Sequence, residues 1–102
     1  DPLLVAPRYL LATIACERDE DDDAIRLLRN VLYLDPTHLP ALLELSGLLR
    51  DGGQMESARK YEQSAVEYLR TLPVDEPIHC YNGTTAGVLL ESLERAANHG
   101  TA

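Results

Sequence analysis

The feature that most constrains this chain is an approximate internal repeat. Ala24 and Ala58 lie 34 positions apart, and each follows a leucine-rich stretch and a short polar loop. Each copy has apolar residues at the spacing of two amphipathic helices joined by a turn. A single helix pair cannot bury its apolar face alone, so repeated copies stack into an all-helical array. The repeat therefore predicts an all-α fold and argues against a sheet.

The period and the residues around both alanines resemble the tetratricopeptide repeat. The resemblance implies a single all-α, TPR-like α-solenoid domain spanning 1–102, in which antiparallel helix pairs form a right-handed superhelix. We expect one repeat at about 5–38, a second at about 39–72, a connector at 73–83 and a C-terminal capping helix at about 84–98. Such repeats usually bind other proteins, so the main question is which partner this one binds.

Local signals predict where the helices begin and end. The first two should run over about 7–16 and 22–34. Pro36 ends the second of these because proline disfavours helical geometry in the residue before it. Thr37 is the predicted N-cap of the third helix, which Gly52-Gly53 should end by accepting a left-handed conformation. Two further helices are expected at about 55–71 and 85–98.

Composition limits the partner and the compartment. Seventeen acidic and nine basic residues give a net charge of -8, which argues against nucleic acid and anionic membrane surfaces. No apolar stretch approaches the roughly 20 residues of a membrane span, so membrane insertion is not expected. Cys16 and Cys80 are expected to be free thiols in a reducing compartment, which indicates a cytoplasmic protein.

The N-terminal end is expected to expose apolar surface. Leu10, Leu11 and Ile14 lie on one face of the first helix. Leu3, Leu4 and Val5, with the outer face of that helix, have no cap and are expected to pack against an upstream repeat or domain. Two repeats are also fewer than the usual minimum of about three. We expect a short N-terminal turn to cover this face, or a homodimer to form through it. A start at Asp1, with Met55 as the lone methionine, indicates a segment of a longer protein.

The densest run of charged residues covers 18–23. Asp19, Asp21 and Asp23 alternate as in a calcium loop, but Ala24 and Asn30 stand where that loop needs glycine and glutamate. The favoured interpretation is that these acids cap the second helix and complement its dipole.

Two other stretches contain residue types that could carry chemistry. His79 and Cys80 are adjacent, but neighbouring side chains in a connector rarely aim at one point. The segment 83–87 lacks the strand and lysine of a phosphate loop and is better explained as a helix start capped by Thr84 or Thr85. The sequence predicts no catalytic, cofactor-binding or metal-binding residue.

A partner-binding groove is predicted on the inner faces of the first and third helices. Counting the repeats from 5 and 39 places seven residues there: Ala6, Tyr9, Thr13, Cys16, Leu43, Gly47 and Arg50. Related proteins clamp a terminal carboxylate with Lys and Asn at such positions, and this chain has neither type there. The groove is therefore expected to take an amphipathic or extended apolar segment.

Three other tyrosines are expected to pack between helices: Tyr33, Tyr61 and Tyr68.

The tail allows a closer comparison. A Leu-Asp-Pro turn at 34–36, a Leu-Pro-x-Asp-Glu element at 72–76 and a Gly-Thr-Thr-Ala-Gly helix start at 83–87 occur in that order. This order resembles the C-terminal TPR segment of hybrid CheR-type chemotaxis methyltransferases. Thr84 departs from the leucine usual in that family, and Arg70 stands where a second repeat often has proline.

The resemblance implies that the parent protein is an S-adenosylmethionine-dependent protein-glutamate O-methyltransferase of bacterial chemotaxis. The segment itself would be no enzyme and would hold no cofactor. It would dock a methyl-accepting chemoreceptor or a chemotaxis signalling protein. Two alternatives stay open: a stand-alone TPR adaptor or scaffold in an unrelated assembly, and a regulatory arm that packs on its own catalytic domain.

Overall fold

The computed structural model describes residues 2–78, 81 and 83–100, and the side chains of 4–78, 81 and 83–95. The described chain is all-α and forms five helices: α1 (Pro2–Glu17), α2 (Asp21–Leu34), α3 (Leu39–Asp51), α4 (Met55–Arg70) and α5 (Ala86–Gly100). The described residues also include one isolated antiparallel bridge, between Pro77 and Thr85. The prediction of an all-α fold is confirmed.

Helices that follow one another in the chain pack against one another. Two helix hairpins, α1–α2 and α3–α4, are joined by packing of α2 on α3, and α5 packs on α4. The largest fully buried side chains come from the three central helices: Leu28, Val31, Leu45, Leu49 and Leu69. The core therefore lies where α2, α3 and α4 meet, and α1 and α5 flank it.

The turns inside the two hairpins have the same backbone geometry. Asp19 and Gly53 both adopt the left-handed conformation, with φ of 58° and 82°. The next residues, Glu20 and Gln54, have nearly identical torsions, φ -89°, ψ 69° and φ -90°, ψ 68°. Their amides donate back to the preceding helix at 2.9 Å and 2.8 Å, as in a Schellman motif. The sequence repeat thus corresponds to a repeat in backbone structure.

The third helix begins differently from the prediction. The amide of Ala41 donates to Nδ1 of His38 at 3.2 Å, so His38 is the N-cap of α3. Thr37 instead donates its amide and its hydroxyl to Oδ1 of Asp35, at 3.2 Å and 3.1 Å. The Thr37 cap was wrong because that residue closes the turn after α2 before α3 starts.

The acidic run lies at the start of α2. Asp21, Asp22 and Asp23 occupy the first turn, where negative charge complements the helix dipole. The N-cap residue, Glu20, makes no side-chain capping hydrogen bond. The predicted dipole complement is therefore confirmed, whereas the predicted capping is wrong.

The first helix exposes most of its large apolar side chains. It begins at Pro2 rather than near Pro7. Leu10, Leu11 and Ile14 are exposed by 60%, 53% and 37%. Small side chains, those of Ala12 and Ala15, fill the buried positions of α1 instead. The helix extends straight into its N-terminal end, so the described residues form no turn over this face.

The tyrosines of the central helices divide into two groups. Tyr61 and Tyr68 on α4 pack against the core, as predicted. Tyr33 on α2 is 87% exposed, so the prediction that it packs between helices was wrong. Its neighbours Val31 and Leu32 are buried, and the helical rotation from them turns Tyr33 outward.

Backbone hydrogen bonds tie described residues of the connector to the residues at the start of α5. The amide of Ile78 donates to the carbonyl of Thr84, and that of Ala86 to the carbonyl of Glu76, both at 2.8 Å. Ile78 is 8% exposed and belongs to the core cluster. The ordered connector that the sequence predicted is thereby anchored by one buried side chain.

The last helix covers the second hairpin. The hydroxyl of Thr85 accepts from the amide of Val88 at 3.4 Å, which fits the predicted Thr85 cap. Partly buried leucines of α5 pack against the core: Leu89, Leu90 and Leu93. Ala96 and Ala97, also predicted to pack, lie outside the described side chains.

Candidate partner-binding groove

The α1 side of the predicted groove is a continuous face. Tyr9, Thr13 and Cys16 follow one another at helical spacing, and all three are partly buried. The Thr13 hydroxyl donates to the carbonyl of Tyr9 at 3.0 Å. The Tyr9 ring packs against the His38 ring at 4.7 Å between centroids and 48° between planes. Tyr9 is therefore held between its own helix and the start of α3.

The α3 side combines an apolar residue, a glycine with free space around it and an arginine that already forms an ion pair. Leu43 is partly buried and packs against the core. Gly47 is exposed, and a Cβ at that position would meet no atom within 4 Å. Arg50 forms an ion pair with Glu62 of α4. The structure thus leaves free space beside Gly47 and neutralises the cation one turn further on.

Glu44 connects the two sides. The carboxylate of this exposed α3 residue lies close enough to the Tyr9 hydroxyl and to the Cys16 thiol to raise the pKa of both groups. The sequence prediction missed it, although Glu44 lies one position from Leu43 and three from Gly47. A helical projection of α3 places Glu44 and Gly47 close together on one side. That projection could have identified Glu44 from the sequence.

The surroundings raise the pKa values of two ionisable groups on α1. Burial, and then the Glu44 carboxylate, raise the pKa of Tyr9 above its ordinary value. Burial, followed by the carboxylates of Glu44, Asp21 and Glu17, raises the pKa of the Cys16 thiol. A thiol held protonated is a poor nucleophile, so this cysteine suits packing and contact better than covalent chemistry.

The connector forms a third side. Tyr81 packs against the core, and its hydroxyl lies close enough to Tyr9 to contribute to the raised pKa of that residue. The amide of Thr84 donates to the carbonyl of Tyr81 at 3.0 Å. A segment after the second hairpin therefore reaches the first helix, which the repeat pattern gave no reason to expect.

A cleft of about 480 Å³ opens where α1 passes the turn between α2 and α3. Its lining includes three predicted groove residues together with others from that turn: Val5, Ala6, Tyr9, Leu10, Thr13, Leu34, Asp35 and His38. Cys16, Leu43, Gly47 and Arg50 lie outside it. The structure therefore divides the predicted set between this cleft and the neighbouring face of α3.

We use "α1–α3 groove" for the surface defined by Tyr9, Thr13, Cys16, Leu43, Glu44, Gly47 and Arg50. It offers aromatic and aliphatic area, a free carboxylate edge and an open glycine position. This combination suits contact with an extended or helical segment. The partner-binding role of these residues stays a prediction.

Other candidate chemistry receives no support from the described residues. Among them, no three His, Cys, Asp or Glu side chains are grouped so as to hold a metal ion. In the same part of the chain, no helix is both long and apolar enough to cross a bilayer. His79 and Cys80 lie outside the described residues.

No protein-family model matches this sequence, and no curated protein matches it at a significant level. Function must therefore be inferred from the residues of the chain and their arrangement.

Proposed function

We propose that this chain is a TPR-like docking module that binds a segment of another protein in the α1–α3 groove. The observation that carries the proposal is the pair of helix hairpins whose turns share the same torsions, 34 residues apart. Stacked hairpins of this kind curve into a superhelix, and the first helix of each pair lines its concave side. That side is an extended surface for a partner.

The proposed occupant is an amphipathic or extended apolar segment. Tyr9 and Leu43 supply partly buried apolar surface, and Gly47 leaves room for the backbone or side chain of a partner. Arg50 is already paired with Glu62. A terminal carboxylate would therefore find no free cation among these groove residues.

We further propose that the module belongs to a CheR-type chemoreceptor methyltransferase of the cytoplasm. In support, the two tail elements of the resemblance pack on each other. The amide of Gly87 donates to the carbonyl of Val74 at 2.9 Å, and a Cβ at Gly87 would approach that oxygen to 2.9 Å. The two short motifs of the resemblance thus contact each other in the folded chain.

The groove is tested by two substitutions in the protein that carries this segment. Leu43→Asp and Tyr9→Ala should each weaken binding to a purified cytoplasmic chemoreceptor fragment, measured by calorimetry. Circular dichroism should show that both variants stay folded. Tyr33→Ala is the matched control because Tyr33 is exposed on α2. Unchanged binding in both groove variants would refute the site.

The role in the parent protein is tested by methylation assays with and without the segment, on several receptors. Loss of methylation on some receptors only is expected for docking. Equal loss on every receptor would instead favour a regulatory arm. A parent protein that transfers no methyl group would favour a stand-alone adaptor.

A further inference from the structure

The charge of the α1–α3 groove is set by one residue. Glu44 is exposed on α3, and its carboxylate lies close enough to the Tyr9 hydroxyl to raise the pKa of Tyr9. A carboxylate has room for about four hydrogen bonds on its two oxygens. Glu44 therefore has acceptor capacity for a ligand that enters the groove.

The arginine of the α1–α3 groove is already engaged in an ion pair. Arg50, on the same side of α3, is paired with Glu62 of α4. Arg18 and Arg26 line a separate cleft with Leu11 and Ile14, which a helical projection of α1 places opposite Tyr9.

The negative field extends along the length of the α1 face. Glu44 acts on Tyr9 at one end and on Cys16 at the other, and Glu17 and Asp21 add to its effect at Cys16. Tyr9 and Cys16 are separated by seven residues, or about two helical turns of roughly 10 Å in all. The Glu44 carboxylate therefore influences both ends of this α1 face.

We infer that the α1–α3 groove binds a protein segment that carries a Lys or Arg side chain beside apolar residues, with Glu44 as the anion that receives it. Complementary charge across an interface mainly fixes partner choice and register. Tyr9 and Leu43 supply the apolar contact, and Gly47 leaves the space next to the ion pair open. This inference rests on the proposed docking function.

The test is selection from a phage-displayed library of random 12-residue peptides. The immobilised proteins are the wild type and the variants Glu44→Lys, Leu43→Asp and Glu67→Lys. Glu67 is an exposed acid of α4 that contacts Gln63, so its reversal changes net charge equally without touching the groove. The wild type and Glu67→Lys should both enrich Lys or Arg next to apolar residues. Glu44→Lys should lose that enrichment.

The strength of the contact follows from a peptide selected by the wild type. Its Kd, measured by fluorescence anisotropy in low salt, should rise about fivefold in Glu44→Gln, the effect of one partly exposed ion pair. The difference should shrink as salt is added, because screening weakens exposed charge pairs.

The outcomes distinguish a failure of the Glu44 contact from a failure of the groove itself. Peptides that require Leu43 but show the same charge preference with wild type and Glu44→Lys would overturn the role of Glu44 and leave the groove standing. Failure of the wild type to select any peptide that Leu43→Asp does not also select would overturn the groove and this inference together.

Discussion

The two helix hairpins share one backbone design and differ in what covers them. Ala24 and Ala58 occupy the same place after matched turns, and both are fully buried. Leu11 and Leu45 also correspond across the repeat, yet Leu11 is 53% exposed and Leu45 is 0% exposed. The second hairpin lies between α2 on one side and α5 on the other. Equivalent sequence positions thus acquire different energetic roles from their neighbours.

We therefore expect the first hairpin to be the weaker part of the fold. Its outer helix buries Ala12 and Ala15 and leaves its larger side chains exposed, so each buried residue contributes little apolar area. Exposed apolar residues in a row indicate a surface that another molecule can cover. Self-association through this face, expected from the sequence, stays a prediction.

The largest contrast should come from truncating the two equivalent leucines. Leu45→Ala removes a fully buried side chain and should lower the free energy of unfolding by about 2–5 kcal/mol. Leu11→Ala should change it by about 0.5 kcal/mol or less, as expected at a surface position. Urea denaturation of both variants measures the difference. Equal losses would mean that the outer face of α1 is covered in solution, and sedimentation would then show self-association.

Two helical glycines should give opposite effects. Gly87→Ala would place a Cβ 2.9 Å from the Val74 carbonyl oxygen, and the displacement of α5 should cost about 1–3 kcal/mol. Gly47→Ala meets open space and should stabilise α3 by about 0.5–1 kcal/mol. Thermal unfolding of both variants tests whether the contact between the connector and α5 keeps α5 packed against the second hairpin. A stabilised Gly87→Ala would contradict that contact.

The matched turns should respond unequally to substitution. Gly53→Ala puts a Cβ into a left-handed conformation and should destabilise by about 1 kcal/mol. Asp19→Gly relieves the same strain in the first turn but makes the unfolded chain more flexible, so its effect should be smaller. Urea denaturation compares the two. A Gly53→Ala variant as stable as wild type would show that the second turn relaxes.

The smallest effect should appear in the titration of Tyr9. Its pKa is raised in the folded protein, so the neutral phenol favours folding. That contribution is complete below the unfolded pKa of about 10 and is lost as the pH rises through the folded value. The free energy of unfolding should therefore fall more steeply above about pH 10 in wild type than in Tyr9→Phe. Absorbance at 295 nm in Glu44→Gln should show Tyr9 ionising at lower pH, and an unchanged titration would contradict the contact.

Much of the local structure could be predicted from the sequence. The helix predicted at about 55–71 and observed at 55–70 and the acidic first turn of α2 follow from signals within a few residues of each position. The same signals left the cap of α5 between Thr84 and Thr85, and Thr85 takes that role. His38 as the cap of α3 was missed because Thr37 is a commoner capping residue and Asp35 takes its hydroxyl. That choice depends on a competing side chain, which propensity alone does not rank.

The candidate site was predicted in part. Tyr9 and Thr13 do line a shared cleft with the start of α3. Glu44 and Tyr81 were missed, since each acts on Tyr9 from a different element. Helical spacing identifies residues that share one helix face, but it does not show which residues of separate helices meet.

By itself, the sequence determined that the chain is helical, that it contains a 34-residue repeat and that Gly52-Gly53 ends the third helix. Those features depend on contacts within a few residues, so composition and spacing carry them. Only the tertiary structure decided that Leu11 is exposed while Leu45 is buried, and that Glu44 and Tyr81 converge on Tyr9. Burial and electrostatic coupling are set by residues distant in sequence, and packing alone brings those residues together.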